Sequence, residues 1–178
     1  MKKRFTFLLF ASLLTLAGCG TNTANNTGTT AETKEETKQG SAITITDFAN
    51  RTVAFESAPK NIVTIGDGEV DIIYALGGEL VGRSTTHNEE VNKKLANIDQ
   101  VGNTHEFNLE KIASLKPDVV LANNPLNMKD IASIEGIGSE IILTNANSVK
   151  DIQKQITLFG ELIQKQDKAK QLVEEIDT

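Results

Sequence analysis

His87 and His105 are the only imidazoles of this 178-residue chain, and Cys19 is its only thiol. Those three side chains bound the chemistry on offer. An imidazole can ligate a metal through Nε2 or Nδ1 while its second nitrogen is oriented by a neighbour. His105 lies in Val101-Gly102-Asn103-Thr104-His105-Glu106-Phe107, where Glu106 is such a neighbour. The plain alternative for a loop histidine is a solvated ring or a bond to backbone, and His87, in Ser84-Thr85-Thr86-His87, is read as surface. Two separated histidines do not form the cluster with carboxylates that a bare zinc or manganese ion needs. Tyr74, mid-helix between Ile73 and Ala75, and Met128 are read as packing residues rather than as phenolate and thioether ligands. Nucleophilic chemistry has no Ser/His/Asp or Cys/His set to run on. Gly66-Asp67-Gly68 after an apolar run is the one hint of a nucleotide loop, yet the third glycine of that motif would fall at Asp71. Asp67, Glu69 and Asp71 would also repel a pyrophosphate. The residues therefore predict a binding protein and not an enzyme.

The elements around His105 explain how it would be held. Asn108 can cap a helix that starts at Leu109, with Glu110 near its positive end and Ile112, Ala113 and Leu115 on an apolar face. Lys116-Pro117 stops that helix. Asp118 leads into Val119 to Ala122, an apolar run suited to a parallel strand covered on both faces, and Asn123-Asn124-Pro125 ends it. Upstream, Ile43 and Ile45 alternate with polar residues, as do Val53 and Phe55 beyond Asp47 to Arg51, which predicts a hairpin. Asn61 to Ile65 reads as a strand, Gly66 to Gly68 as a turn, and Glu69 to Leu76 as a helix closed by Gly77-Gly78. A strand at Leu80 to Arg83, a polar helix near Glu89 to Leu95, a helix around Asp130 to Ile134 and a strand at Glu140 to Leu143 complete the series.

Strands separated by helices at this spacing predict an α/β fold with a doubly wound, mostly parallel sheet, preceded by the β-hairpin. Ligands of such sheets sit outside the carboxyl ends of the strands. The loops at that edge supply Asp67, Arg83, Thr86, His87, Asn103, Thr104, Asn123 and Asn124 as candidate cleft residues beside His105. Ser148, with Asp151 in the reciprocal place of a capping box, opens a helix with Ile152, Ile156, Phe159 and Ile163 on one face. A second helix carries Ala169, Leu172, Val173 and Ile176. The chain stops at Thr178 within this amphipathic pattern, and the expectation is a truncated product or fragment.

At the start, Lys2, Lys3 and Arg4 precede an apolar run from Phe5 to Ala17, which is short of the roughly 20 residues that cross a bilayer and reads as a signal peptide over residues 1–18. Leu16-Ala17-Gly18-Cys19 resembles the bacterial lipobox, implying cleavage before Cys19 and a lipid anchor on its sulfur. Two acyl chains hold a protein at a membrane where one gives marginal binding. From Gly20 to Ser41 there is no Val, Ile, Leu or Phe, so residues 19–41 read as the lipidated Cys and a disordered tether with a mean reach of roughly 25 Å. The formal net charge is −6, and −9 once the three leading basic residues are gone. Arg51 and Arg83 are then the only arginines, and Trp is absent, so nucleic acid is excluded as a partner.

The succession "VG, short polar loop, NLE, helix, LKPDVV" resembles the substrate-binding proteins of bacterial ABC importers for heme, ferric siderophores and cobalamin. The resemblance runs from about Ile43 to the end and covers the first lobe only. Family members often carry Gly near Asn50, and Asn tolerates the positive φ such a position takes. The resemblance implies the N-terminal lobe of a two-lobe periplasmic-binding-protein fold at 42–147. Helices at 148–178 would then open the rigid connector to a second lobe, with ligand held between the lobes. In the heme-binding branch the axial iron ligand lies a few residues after "VG", which is the slot of His105. The resemblance also implies that an acidic residue at the "NLE" position, here Glu110, docks on the membrane permease. Heme as transported ligand, no catalytic cofactor, an ABC permease with its ATPase as partners, a monomer, and a lipid anchor on the extracytoplasmic face follow from the same likeness. A ferric siderophore is the rival cargo. Catecholate and citrate-type chelates call for several Arg forks, so a hydroxamate type fits this lobe better. A non-transporting remnant is the third reading.

Overall fold

In the computed structural model, which describes residues 42–177, the hairpin comes first. Strands β1 (Ile43–Thr46) and β2 (Thr52–Phe55) pair antiparallel with Ile45 opposite Val53, so their apolar residues share a face. Asn50 takes φ 59° in the turn, as expected for a glycine-like position. Asp47 is fully buried at that turn. Its carboxylate accepts from the Ala49, Arg51 and Leu143 amides and from Arg51 Nε, tying the hairpin to the main sheet. The signal-peptide, Cys19 and tether expectations lie outside the described residues.

Five strands form the main sheet: β3 (Ile62–Thr64), β4 (Gly82–Arg83), β5 (Asp99–Gln100), β6 (Val119–Asn123) and β7 (Glu140–Thr144). Their order is β5-β4-β3-β6-β7, and every pairing is parallel. The chain builds outward from β3 to β5 and then returns to the other side of β3 to lay down β6 and β7. The crevice between β3 and β6 is therefore the point where winding reverses, the place where doubly wound sheets take their ligands.

Register divides the apolar residues between two layers. Ile62, Val119, Leu121 and Ile142 join the hairpin and helices α1 (Asp67–Ala75), α5 (Val149–Leu162) and α6 (Gln166–Ile176) on one face. Val63, Ile65, Val120, Ala122, Ile141 and Leu143 pack with α3 (Leu109–Leu115) and α4 (Ile131–Gly136) on the other. Each fully buried aliphatic side chain contributes about 1.5–3 kcal/mol of transfer free energy. Strands buried on both faces read as continuous apolar runs in the sequence.

Several boundaries and burials differ from the sequence reading. Helix α1 starts two residues earlier, at Asp67, because Gly66 in extended conformation serves as its N-cap, so the turn is shorter than Gly66 to Gly68. β4 pairs only at Gly82–Arg83, and a 3-10 turn over Met128–Asp130 precedes α4. Ile152 and Ile176 are exposed although periodicity put them on buried faces, since α5 buries the side running through Gln155, Ile156, Phe159 and Leu162. Met128 is 49% exposed rather than packed. Tyr74 is half-buried against the core, with the Lys94 ammonium 5.6 Å from its ring centre.

Candidate functional site

The His105 segment is a tight turn built from the backbone outward. Gly102 bridges Phe107, Asn103 N donates to Glu106 O at 2.7 Å, and Asn108 N donates to Val101 O at 2.8 Å. Gly102 adopts φ +112°, and a Cβ there would overlap the Glu106 carbonyl and the Phe107 backbone, so only glycine fits. Inside the turn the Asn103 side chain accepts from His105 N at 2.9 Å and Glu106 N at 3.1 Å. His105 is thereby presented, exposed, at the tip of a rigid loop. No hydrogen bond engages its ring among the described residues, so the expected orienting bond from Glu106 is not made in this structure.

The turn lies over the reversal point of the sheet. Thr104 Oγ1 donates to Ile65 O, just beyond β3, at 3.2 Å, and Thr104 O accepts from Asn127 Nδ2, just beyond β6, at 3.0 Å. Asn127 was not singled out in the sequence. Its only signal there was an Asn two residues after Pro125 in a turn-rich stretch.

The remaining cleft candidates divide by what their side chains already do. Asp67 and His87 meet at 3.3 Å between Oδ2 and Nε2, with the His87 side chain 97% exposed. Thr86 is buried, donating to Asp71 Oδ1 at 2.6 Å and accepting from Asn88 N at 3.1 Å. Asn124 Nδ2 donates to Phe48 O at 3.1 Å, and half-buried Asn123 accepts from Asn127 N and donates its own N–H to the Asn127 side chain. Arg83 corrects the expectation of a guanidinium near the lip. It is 1% exposed, with Nε on Leu95 O and Nη1 on Ser84 O, because the polar helix α2 (Glu89–Lys94) ends over it and offers a carbonyl. Arg51 is likewise held by Asp47, Glu135 and the Ile141 carbonyl. Neither arginine of the described residues faces the edge as a free fork.

One carboxyl at this edge is buried. Glu69, in the first turn of α1, meets the Thr144 hydroxyl at the end of β7. Burial pushes its pKa above the usual carboxylate range, outweighing the lowering by its hydrogen bonds with Thr144 and the backbone, and nearby Asp67 adds the least, in the raising direction. Thr144 Oγ1 also lies 3.1 Å from Ala122 O. A hydroxyl has a single hydrogen, so both contacts are satisfied when Glu69 is the protonated donor.

On the outer side, Asn108 caps α3 by accepting from Lys111 N at 2.8 Å, leaving Glu110 exposed in the first turn. Among the described residues, no three His, Cys, Asp or Glu side chains converge as a metal cage. No helix among them is long and apolar enough to cross a membrane.

The family profile described as periplasmic binding protein matches residues 62–178. The uncharacterized ABC transporter substrate-binding lipoprotein YvrC of Bacillus subtilis (strain 168) is 35% identical over 97% of this chain and 55% of its own length. The siderophore-binding protein BauB, solved with two molecules of acinetobactin and ferric iron, superposes with a TM-score of 0.67 at 25% identity. That match covers 76% of this chain and 51% of BauB. The periplasmic heme-binding protein BhuT, solved with two hemes, gives a TM-score of 0.57 at 25% identity over 66% of this chain and 46% of its own. The chain spans about half the length of the proteins it matches.

Proposed function

This chain belongs to the periplasmic binding protein family, and from that premise we propose that it is the first lobe of an ABC-importer receptor whose cargo is heme, with His105 on the iron. The observation that carries the reading is the exposed His105 at the tip of a turn pinned over the reversal point of the sheet. With no ring hydrogen bond fixing its tautomer, the neutral imidazole can offer either Nε2 or Nδ1, whichever lacks the hydrogen, to ferric heme as axial ligand. Leu126 and Met128, both exposed, flank the buried Asn127 that bonds this turn, and offer apolar surface to a porphyrin. The likeness to BhuT supports the same cargo.

In this reading residues 42–147 form the ligand lobe, and α5 with α6 begins the connector to a second lobe. Glu110 contacts the permease, which works with its ATPase, and lipid on Cys19 keeps the monomeric receptor on the extracytoplasmic face of the membrane. A ferric siderophore is the second reading, supported by the likeness to BauB. Engagement of Arg51 and Arg83 within the protein favours a weakly charged hydroxamate over catecholate or citrate chelates.

Titration of the full chain with hemin and, in parallel, with a ferric hydroxamate chelate tests the cargo. The heme reading expects a saturable Soret shift with hemin and no intrinsic-fluorescence or absorbance change with the chelate. Saturation by the chelate alone transfers the assignment to siderophores.

A further inference from the structure

The His105 turn is fastened by a residue that touches no cargo in any reading above. Asn127 is fully buried at the end of the β6 loop while its chain neighbours Leu126 and Met128 are exposed. Its Oδ1 accepts from Asn123 N at 3.1 Å, and its Nδ2 donates to Thr104 O at 3.0 Å and to Asp130 Oδ2 at 2.9 Å. The amide has two hydrogens, and each has one acceptor. The orientation is forced as well, because its oxygen faces an N–H and its nitrogen faces two oxygens. Main-chain bonds from Asn127 N to Asn123 O and from Asp130 N to Asn127 O hold the residue from both sides.

Of these contacts, the one to Thr104 O leaves the β6 loop, and with the Thr104 hydroxyl on Ile65 O it spans the crevice between β3 and β6. We infer that Asn127 is a positioning residue, whose side-chain amide pins the Thr104–His105 turn over the reversal point and so fixes where His105 meets its cargo. The cargo half of this inference rests on the reading of His105 as an iron contact. Buried amide donors aimed at a carbonyl and a carboxylate are unforgiving of replacement. Asp at this position would set oxygens against both acceptors, whereas Asp130→Asn beside it would restore a donor to the 127–130 pair and leave Thr104 O unanswered.

The test compares the full chain with Asn127→Asp and with Asn127→Asp/Asp130→Asn. Hydrogen exchange of the His105 and Glu106 amides, which donate to the Asn103 side chain, and the hemin affinity are read together with the melting temperature. The expected result is about tenfold faster exchange in the turn, the scale of one lost hydrogen bond. Hemin affinity should fall by about the same factor in both variants, although the second recovers thermal stability. Unchanged exchange in a folded variant, or turn protection that returns along with stability in the double variant, overturns the inference. Should Asn127→Asp fail to fold, Asn127→Ser, which removes both amide donors without adding charge, is read in the same way. A chain that binds no hemin while the turn shows the tenfold change removes the heme assignment and leaves the pin standing.

Discussion

At the N-terminal turn of α1, the Glu69 carboxyl and the Ala122 carbonyl both lie within reach of one Thr144 hydroxyl, in a place from which water is largely excluded. Because the folded-state pKa is raised, the folded chain keeps this proton at pH values where the unfolded chain has released it. Stability from this group is then greatest below the ordinary glutamate range and declines as pH climbs toward the raised folded value. Glu69→Gln keeps a donor for Thr144 and has no proton to lose. The expected outcome is a variant that melts higher than the parent at neutral pH, with the gap closing in acid, as read from melting temperatures across a pH series. A gap that stays constant with pH would mean that Glu69 titrates alike in the folded and unfolded chains, contradicting the buried, protonated carboxyl. None of this was legible in the sequence, where Asp67, Glu69 and Asp71 look like one acidic cluster. Their different fates depend on partners remote in sequence, namely Thr144 for Glu69, Thr86 for Asp71 and His87 for Asp67. Arg83 hid for the same reason, since its acceptor at Leu95 comes from the end of α2.

Among the elements, the turn between β5 and α3 is the one whose geometry matters most to the site. Its shape follows from Gly102 at φ +112°, the Asn103 side chain closing on two amides, and the Asn108 cap that starts α3. Gly102→Ala forces a Cβ into the facing strand of the turn in addition to the positive φ. The expected cost is more than about 1 kcal/mol of stability, measured by denaturant titration. The His105 amide should lose protection before β6 does, and an Ala variant of parental stability would contradict this geometry. The caps at Asn108 and Ser148 and the runs Val119 to Ala122 and Ile141 to Leu143 were plain in the sequence, because capping and two-sided burial are local patterns. The weak elements were misjudged. β4 pairs through only two residues, and the start of α5 and end of α6 leave Ile152 and Ile176 in solvent, where periodicity alone says nothing about what lies opposite.

Across the whole molecule, the alternation of strand and helix was enough to predict a doubly wound parallel sheet, and the order β5-β4-β3-β6-β7 bears it out. That order converts a list of polar loops into a specific place. The loops after β3, after β5 and after β6 meet through Ile65, Thr104 and Asn127, and His105 is exposed at that meeting as its one imidazole. The sequence marked His105 by its slot after Val101-Gly102, but could not reveal the fastening beneath it, because Thr104 and Asn127 are 23 residues apart. The account stands on His105 as the iron contact. Hemin titration of the full chain beside His105→Ala and His87→Ala, followed at the Soret band, tests that claim most directly. The account predicts a saturable shift in the parent that persists in His87→Ala and is abolished in His105→Ala. A shift that survives in His105→Ala, or that is absent from the parent, would contradict it.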